Sequence, residues 1–162
     1  MDLPTPSDPQ NDASAAGTFR LGGATQVVRL GYGAMRITGP GIIGEPADVD
    51  EARRVLLRAV ELGVTFIDTA HAYGPLVSER LIGETLAAYA DDLVIATKGG
   101  LVRDSRGAWL ADGSPATLRA QLQQSLTLLR VETVDLYQPT PSTRVYRSSS
   151  PSAHSRSCSA KV

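Results

Sequence analysis

The chain has 162 residues, 42% hydrophobic and 20% charged, which is ordinary for one globular domain with enough apolar side chains for a core. A net charge of −1 argues against a nucleic-acid partner, and no apolar run approaches the ~18 residues a membrane helix requires. One cysteine, Cys158, excludes an internal disulfide framework, and residues 1–16 lack the apolar stretch of a signal peptide, so a cytoplasmic protein is expected.

Residues 1–17, rich in Pro, Asp, Ser and Ala, read as a disordered leader. Two short β-like runs around Gly22-Gly23, TFRL and TQVVRL, predict a hairpin. Leu30–Ala34 is a candidate first strand. Ala52, Val55, Leu56, Ala59 and Val60 fall at helical spacing, with Asp48 or Asp50 as N-cap and Gly63 as the stop. Thr65-Phe66-Ile67 is a short buried-type strand closed by Asp68. Leu81, Ile82, Thr85, Leu86 and Tyr89 mark a second helix, with Ser78 as its expected N-cap. LVIAT, residues 93–97, is apolar on both faces, as an interior parallel strand is. Ser114-Pro115 opens a third helix lined by Leu118, Leu122, Ser125, Leu126 and Leu129, and VDLY, residues 134–137, is a fourth strand.

This alternation of strands and helices predicts an α/β protein with parallel strands, wound as a barrel or as an open sheet. Periodicity does not separate the two. An open-sheet nucleotide binder would carry a glycine-rich phosphate loop such as GxGxxG after its first strand, and LGYGAMRITG does not supply one.

Three polar residues stand at or just beyond strand ends: Asp68 in FIDTAHAYG, Tyr73 five residues on, and Lys98 in LVIATKGG. In a parallel barrel the C-terminal strand ends converge on one face, where the three would meet. A free phenol titrates near ~10, a nearby ammonium stabilises the phenolate, and a carboxylate keeps that ammonium charged. Asp, Lys and Tyr together can therefore turn a tyrosine into a general acid. Taken singly, each residue has a plainer reading as a cap, a solvated cation or a loop aromatic.

The segments LGYGAMR, ELGVTFIDTAHAYG, SERLIGETL, LVIATKGG and VDLYQ resemble, in order, signatures of the aldo-keto reductase family over residues ~19–138. The resemblance implies a (β/α)8 TIM-barrel type fold, here truncated to about the first four strands and three helices behind an N-terminal β-hairpin. It implies reduction of an aldehyde or ketone to an alcohol with NADPH, or NADH, as hydride donor. By the same resemblance Tyr73 donates the proton, Lys98 tunes it and Asp68 holds Lys98. Gly33, Met35 and Arg36 fall in the loop that would lie, with Asp68, near the cofactor; for Met35 and Arg36 simple loop packing stays open. The inserts GPGIIGEP and GGLVRDSRGAW resemble the branch containing pyridoxal reductases, and Trp109 either walls a substrate pocket or packs on its loop.

The family pattern places a histidine after the fourth strand, as in LYQLH, whereas here Pro139-Thr140 follows VDLYQ. His71 lies near Tyr73 in sequence but is a poor substitute. Residues 1–138 hold all 17 acidic and 12 of the 16 basic residues; residues 139–162 hold the other four basic residues, eight serines and three prolines. Back-translated in another frame, the tail can read QLHAVDPGVPVEQSVGALAELQREG, and deletion of one T turns that text into the observed one. A frameshift product of impaired activity is the expectation. The alternatives are a truncated regulatory or scaffold subunit that keeps the fold without turnover, and a basic tail that binds a partner.

Overall fold

The computed structural model describes residues 12–104 and 107–140. The first two strands, β1 (Thr18–Leu21) and β2 (Thr25–Val28), form an antiparallel hairpin, as expected. Then follow β3 (Tyr32–Gly33), α1 (Val49–Glu61), β4 (Phe66–Asp68), α2 (Val77–Leu86) and β5 (Val94–Gly99). A second hairpin, β6 (Leu101–Arg103) and β7 (Trp109–Ala111), leads to α3 (Pro115–Leu129) and β8 (Leu136–Pro139).

Strands β3, β4, β5 and β8 form one parallel sheet in that order. Helix α1 packs on α2 and α2 on α3, and all three share a single core with Ile67 of β4 and Ile95 of β5. The helices therefore form one layer on one face of the sheet. That is the plan of a barrel wall, whereas an open doubly wound sheet is covered on both faces. Leu56, Val60, Ile67, Leu81, Ile82, Leu86 and Leu129 are all but inaccessible to water. Each contributes about 1.5–3 kcal/mol through burial.

The helix termini follow their local chemistry. The Asp48 carboxylate accepts the Glu51 amide at 2.8 Å, so Asp48 and not Asp50 caps α1. The Ser114 hydroxyl accepts the Thr117 amide at 3.2 Å, with Pro115 at the first helical position. At α2 the expectation is corrected. Leu76, in the left-handed region at φ 69°, precedes the helix, and Ser78 lies inside it, fully buried. Its hydroxyl is used for tertiary contacts, to Thr69 and to the carbonyl of Ala34, instead of for a cap.

Three boundaries also move. The leader gives way to structure earlier than residue 17: Asp12 caps a short 3-10 helix, Ala13–Ala16, and the buried Ala13 donates its amide to the Leu62 carbonyl at 2.7 Å. The first barrel strand is only Tyr32–Gly33, with Leu30 exposed. Strand β8 runs through Pro139, past the expected end at residue 137. Thr140 donates its amide to the Gly99 carbonyl, so the neighbouring Pro139, whose ring lacks an N–H, faces the open edge where no donor is needed. Residues 1–11 and 141–162, which hold the rest of the leader and the tail, lie outside the described residues.

Candidate active site

Asp68 ends β4 and Lys98 is the fifth residue of β5, so both emerge at the C-terminal ends of adjacent parallel strands. The Lys98 ammonium donates to both Asp68 carboxylate oxygens at 2.6 Å and to the Thr69 carbonyl at 2.9 Å. The pair is partly screened from water, with side chains 22% and 35% exposed. Tyr73 lies in the loop between β4 and α2, and the Lys98 nitrogen stands 5.4 Å from its ring centroid. The structure thus gathers the carboxylate, the ammonium and the phenol ring in one place.

The loop that carries Tyr73 is tightly built. The Tyr73 amide donates to Ala70, the His71 amide to the Lys98 carbonyl, and the Ser78 amide to the Tyr73 carbonyl. Gly74 has φ 97°, and a Cβ there would collide with the Val77 side chain, so only glycine lets the chain turn into α2. The His71 ring bonds Gln124 of α3 at 2.8 Å.

Behind the site lies a buried polar layer that sequence reading missed. The Thr69 and Ser78 hydroxyls are 2.8 Å apart, and the Thr97 hydroxyl, adjacent in chain to Lys98, donates to Glu79 at 2.6 Å. Burial pushes the Glu79 carboxyl up, and the hydrogen bond from Thr97 opposes that shift less strongly. Tyr137 is pushed up to about 12, first by burial and then by the charge of Glu79; its hydroxyl donates to the Leu118 carbonyl at 2.9 Å. The buried Gln121 side chain accepts from the Gly100 amide and donates to the Leu101 carbonyl, fixing the exit from β5. A signal was available: Ser78 falls on the same helical stripe as Leu81, Ile82 and Thr85.

The strand-one residues sit at the same end of the sheet. Gly33 pairs with Asp68, and a Cβ at Gly33 would meet nothing within 4 Å. Met35 and Arg36 lie in the 3-10 turn Ala34–Ile37 and line a shallow pocket with Thr38, Gly39 and Pro40. At the position after β8, Thr140 donates its hydroxyl to the Gly99 carbonyl at 3.1 Å. Among the described residues no group of three or more His, Cys, Asp or Glu side chains is arranged to hold a metal ion, and no helix is long and apolar enough to cross a membrane.

A half-circuit of parallel strands, with Asp68, Lys98 and Tyr73 gathered at its C-terminal rim, is the plan of part of a (β/α) barrel. The aldo/keto reductase family profile matches residues 29–140, and the chain belongs to that family. It is 48% identical to an uncharacterised oxidoreductase of Schizosaccharomyces pombe, over 78% of this chain and 41% of that protein. It is 43% identical to the pyridoxine 4-dehydrogenase of Escherichia coli, over 75% of this chain and 42% of that protein. Among solved structures, the holo form of an aldo-keto reductase from Bacillus halodurans superposes with a TM-score of 0.65 at 31% identity, covering 75% of this chain and 39% of that one. The glycerol dehydrogenase of Gluconobacter oxydans gives a TM-score of 0.65 at 36% identity, covering 77% and 39%. The chain spans about two fifths of the length of these relatives.

Proposed function

We propose that this chain carries the proton-transfer half of a carbonyl reduction, in which an aldehyde or ketone becomes an alcohol. The observation that carries the reading is the contact of Lys98 with both Asp68 oxygens, beside the Tyr73 ring, at the C-terminal ends of parallel strands. Tyr73 gives its proton to the carbonyl oxygen. Lys98 stabilises the phenolate left behind, and Asp68 keeps Lys98 charged and aimed. NADPH, or NADH, supplies the hydride when bound. Gly33, paired with Asp68 and with room beside its backbone, and Met35 and Arg36 in the following turn would hold the cofactor.

The name of the Escherichia coli relative makes pyridoxal the first substrate to test. A small-molecule partner, no nucleic acid, and a cytoplasmic location complete the reading. Impaired activity is part of the reading, because Thr140 follows β8 where the family pattern has histidine. The family match ends at residue 140, and we read 139–162 as the out-of-frame continuation of a longer coding sequence. Sequencing about 200 codons beyond Gln138 decides that point, since an intact frame with no family-like text downstream rejects it.

A second reading, a non-catalytic subunit of the same fold, is favoured by Thr140 standing where the family pattern has histidine. NADPH oxidation with pyridoxal and simple aldehydes separates the two. Slow turnover that falls by about 100-fold or more in Tyr73→Phe supports the reductase. No turnover with any aldehyde supports the subunit.

A further inference from the structure

The two inserts that flank the barrel mouth meet at one side chain. Arg103, at the end of β6, donates to the Gly107 carbonyl within its own hairpin at 2.6 Å. It also donates across to the carbonyls of Gly41 at 3.0 Å and Ile42 at 3.3 Å, in the insert that follows β3. Trp109 lies against the guanidinium, 3.4 Å from ring centroid to carbon, and remains 41% exposed.

The clamped insert reaches Tyr73 directly. Gly74 donates its amide to the Ile42 carbonyl at 3.2 Å, and Gly44 donates to the Gly74 carbonyl at 2.6 Å. Ile42 therefore offers one carbonyl to two donors, Arg103 and the residue after Tyr73. Its backbone is also strained, with φ 62° for a β-branched side chain. Such a conformation is unfavourable and persists only where its surroundings enforce it. At the far end of the insert Glu45 is held by Arg80 of α2 at 2.6 and 2.7 Å.

We propose that Arg103 is a positioning residue. It clamps the strained Gly41–Ile42 segment onto Gly74 and so fixes the loop that presents Tyr73, while Trp109 covers the clamp. The proposal rests on Tyr73 as proton donor, but its test needs no turnover, so its failure and the failure of the reductase reading are distinguishable.

The test is amide hydrogen exchange on the whole chain, with Trp109 emission as a second signal, since Trp109 is the one tryptophan in the sequence. In Arg103→Met, exchange at 39–44 and at 70–76 rises by about tenfold or more while α1 and α3 keep their protection. Trp109 emission moves to longer wavelength. Arg103→Lys, a single-point donor, restores part of the protection. If Arg103→Met does not fold, Arg103→Lys decides alone, with faster exchange required in the same two segments. Unchanged exchange at 70–76, or a rise confined to 101–111, overturns the proposal and leaves Arg103 as an internal clasp of its hairpin.

Discussion

The hydroxyl of Thr97 donates to the carboxyl of Glu79 at 2.6 Å, one residue before Lys98 and out of reach of water. The contact ties α2 to the strand that carries the ammonium. The other Glu79 oxygen, Oε2, has no protein partner among the described residues. A buried carboxyl in this setting holds its proton above the ordinary value of 4.5.

A pH dependence follows. Below 4.5 the folded and unfolded chains both carry the Glu79 proton, and the group adds nothing to the balance. As pH rises above that value the unfolded chain releases the proton first, so the folded state loses stability until its own carboxyl ionises. Glu79→Gln keeps an acceptor for Thr97 and cannot ionise. Urea midpoints compared across the acid-to-neutral range should show the variant gaining on the parent as pH rises. Parallel curves would mean that Glu79 is solvated or paired in solution.

Gly83 is the one glycine within α1, α2 and α3, and α3 passes close against it. A Cβ there would overlap the Leu128 carbonyl oxygen and come within 2.9 Å of the Leu129 Cα. The obstacle is backbone, which cannot swing aside. Gly83→Ala is expected to cost about 1–3 kcal/mol despite the better helix propensity of alanine. Thermal or urea unfolding reads it, and an unchanged or raised midpoint would show that the helices part easily.

His71→Ala tests whether that imidazole stands in for a site histidine. Its ring is turned to Gln124 on α3, and the Asp68–Lys98 pair forms without it. Turnover should stay within about twofold, where loss of a proton donor costs about 100-fold or more. A collapse in kcat would make His71 part of the machinery.

Much of this fold could be read from the chain. Buried strands such as LVIAT and amphipathic stripes such as Leu81–Ile82–Leu86 announce themselves because burial demands their pattern. Ser114 was legible as a cap, and Asp48 as one of two candidates, because such side chains serve the nearest amides. Ser78 was not, because its hydroxyl is spent on Thr69 and Ala34, partners distant in sequence. Hairpin β6–β7 escaped for a related reason: its three-residue strands, β6 half-buried and β7 exposed, carry little periodic signal, and Arg103 is held by residues about sixty positions away. Asp68, Tyr73 and Lys98 stood out as polar residues in segments otherwise suited to burial. Glu79, equally polar and more deeply buried, was passed over inside an otherwise ordinary helix.

The most direct measurement follows a label. The chain is incubated with pyridoxal and NADPH carrying deuterium in the transferable position of the nicotinamide, and the alcohol product is weighed by mass spectrometry. The account predicts deuterium on the carbinol carbon from the parent chain and none above background from Tyr73→Phe over the same time. Labelled alcohol formed equally fast by Tyr73→Phe would contradict it, and so would alcohol formed without label.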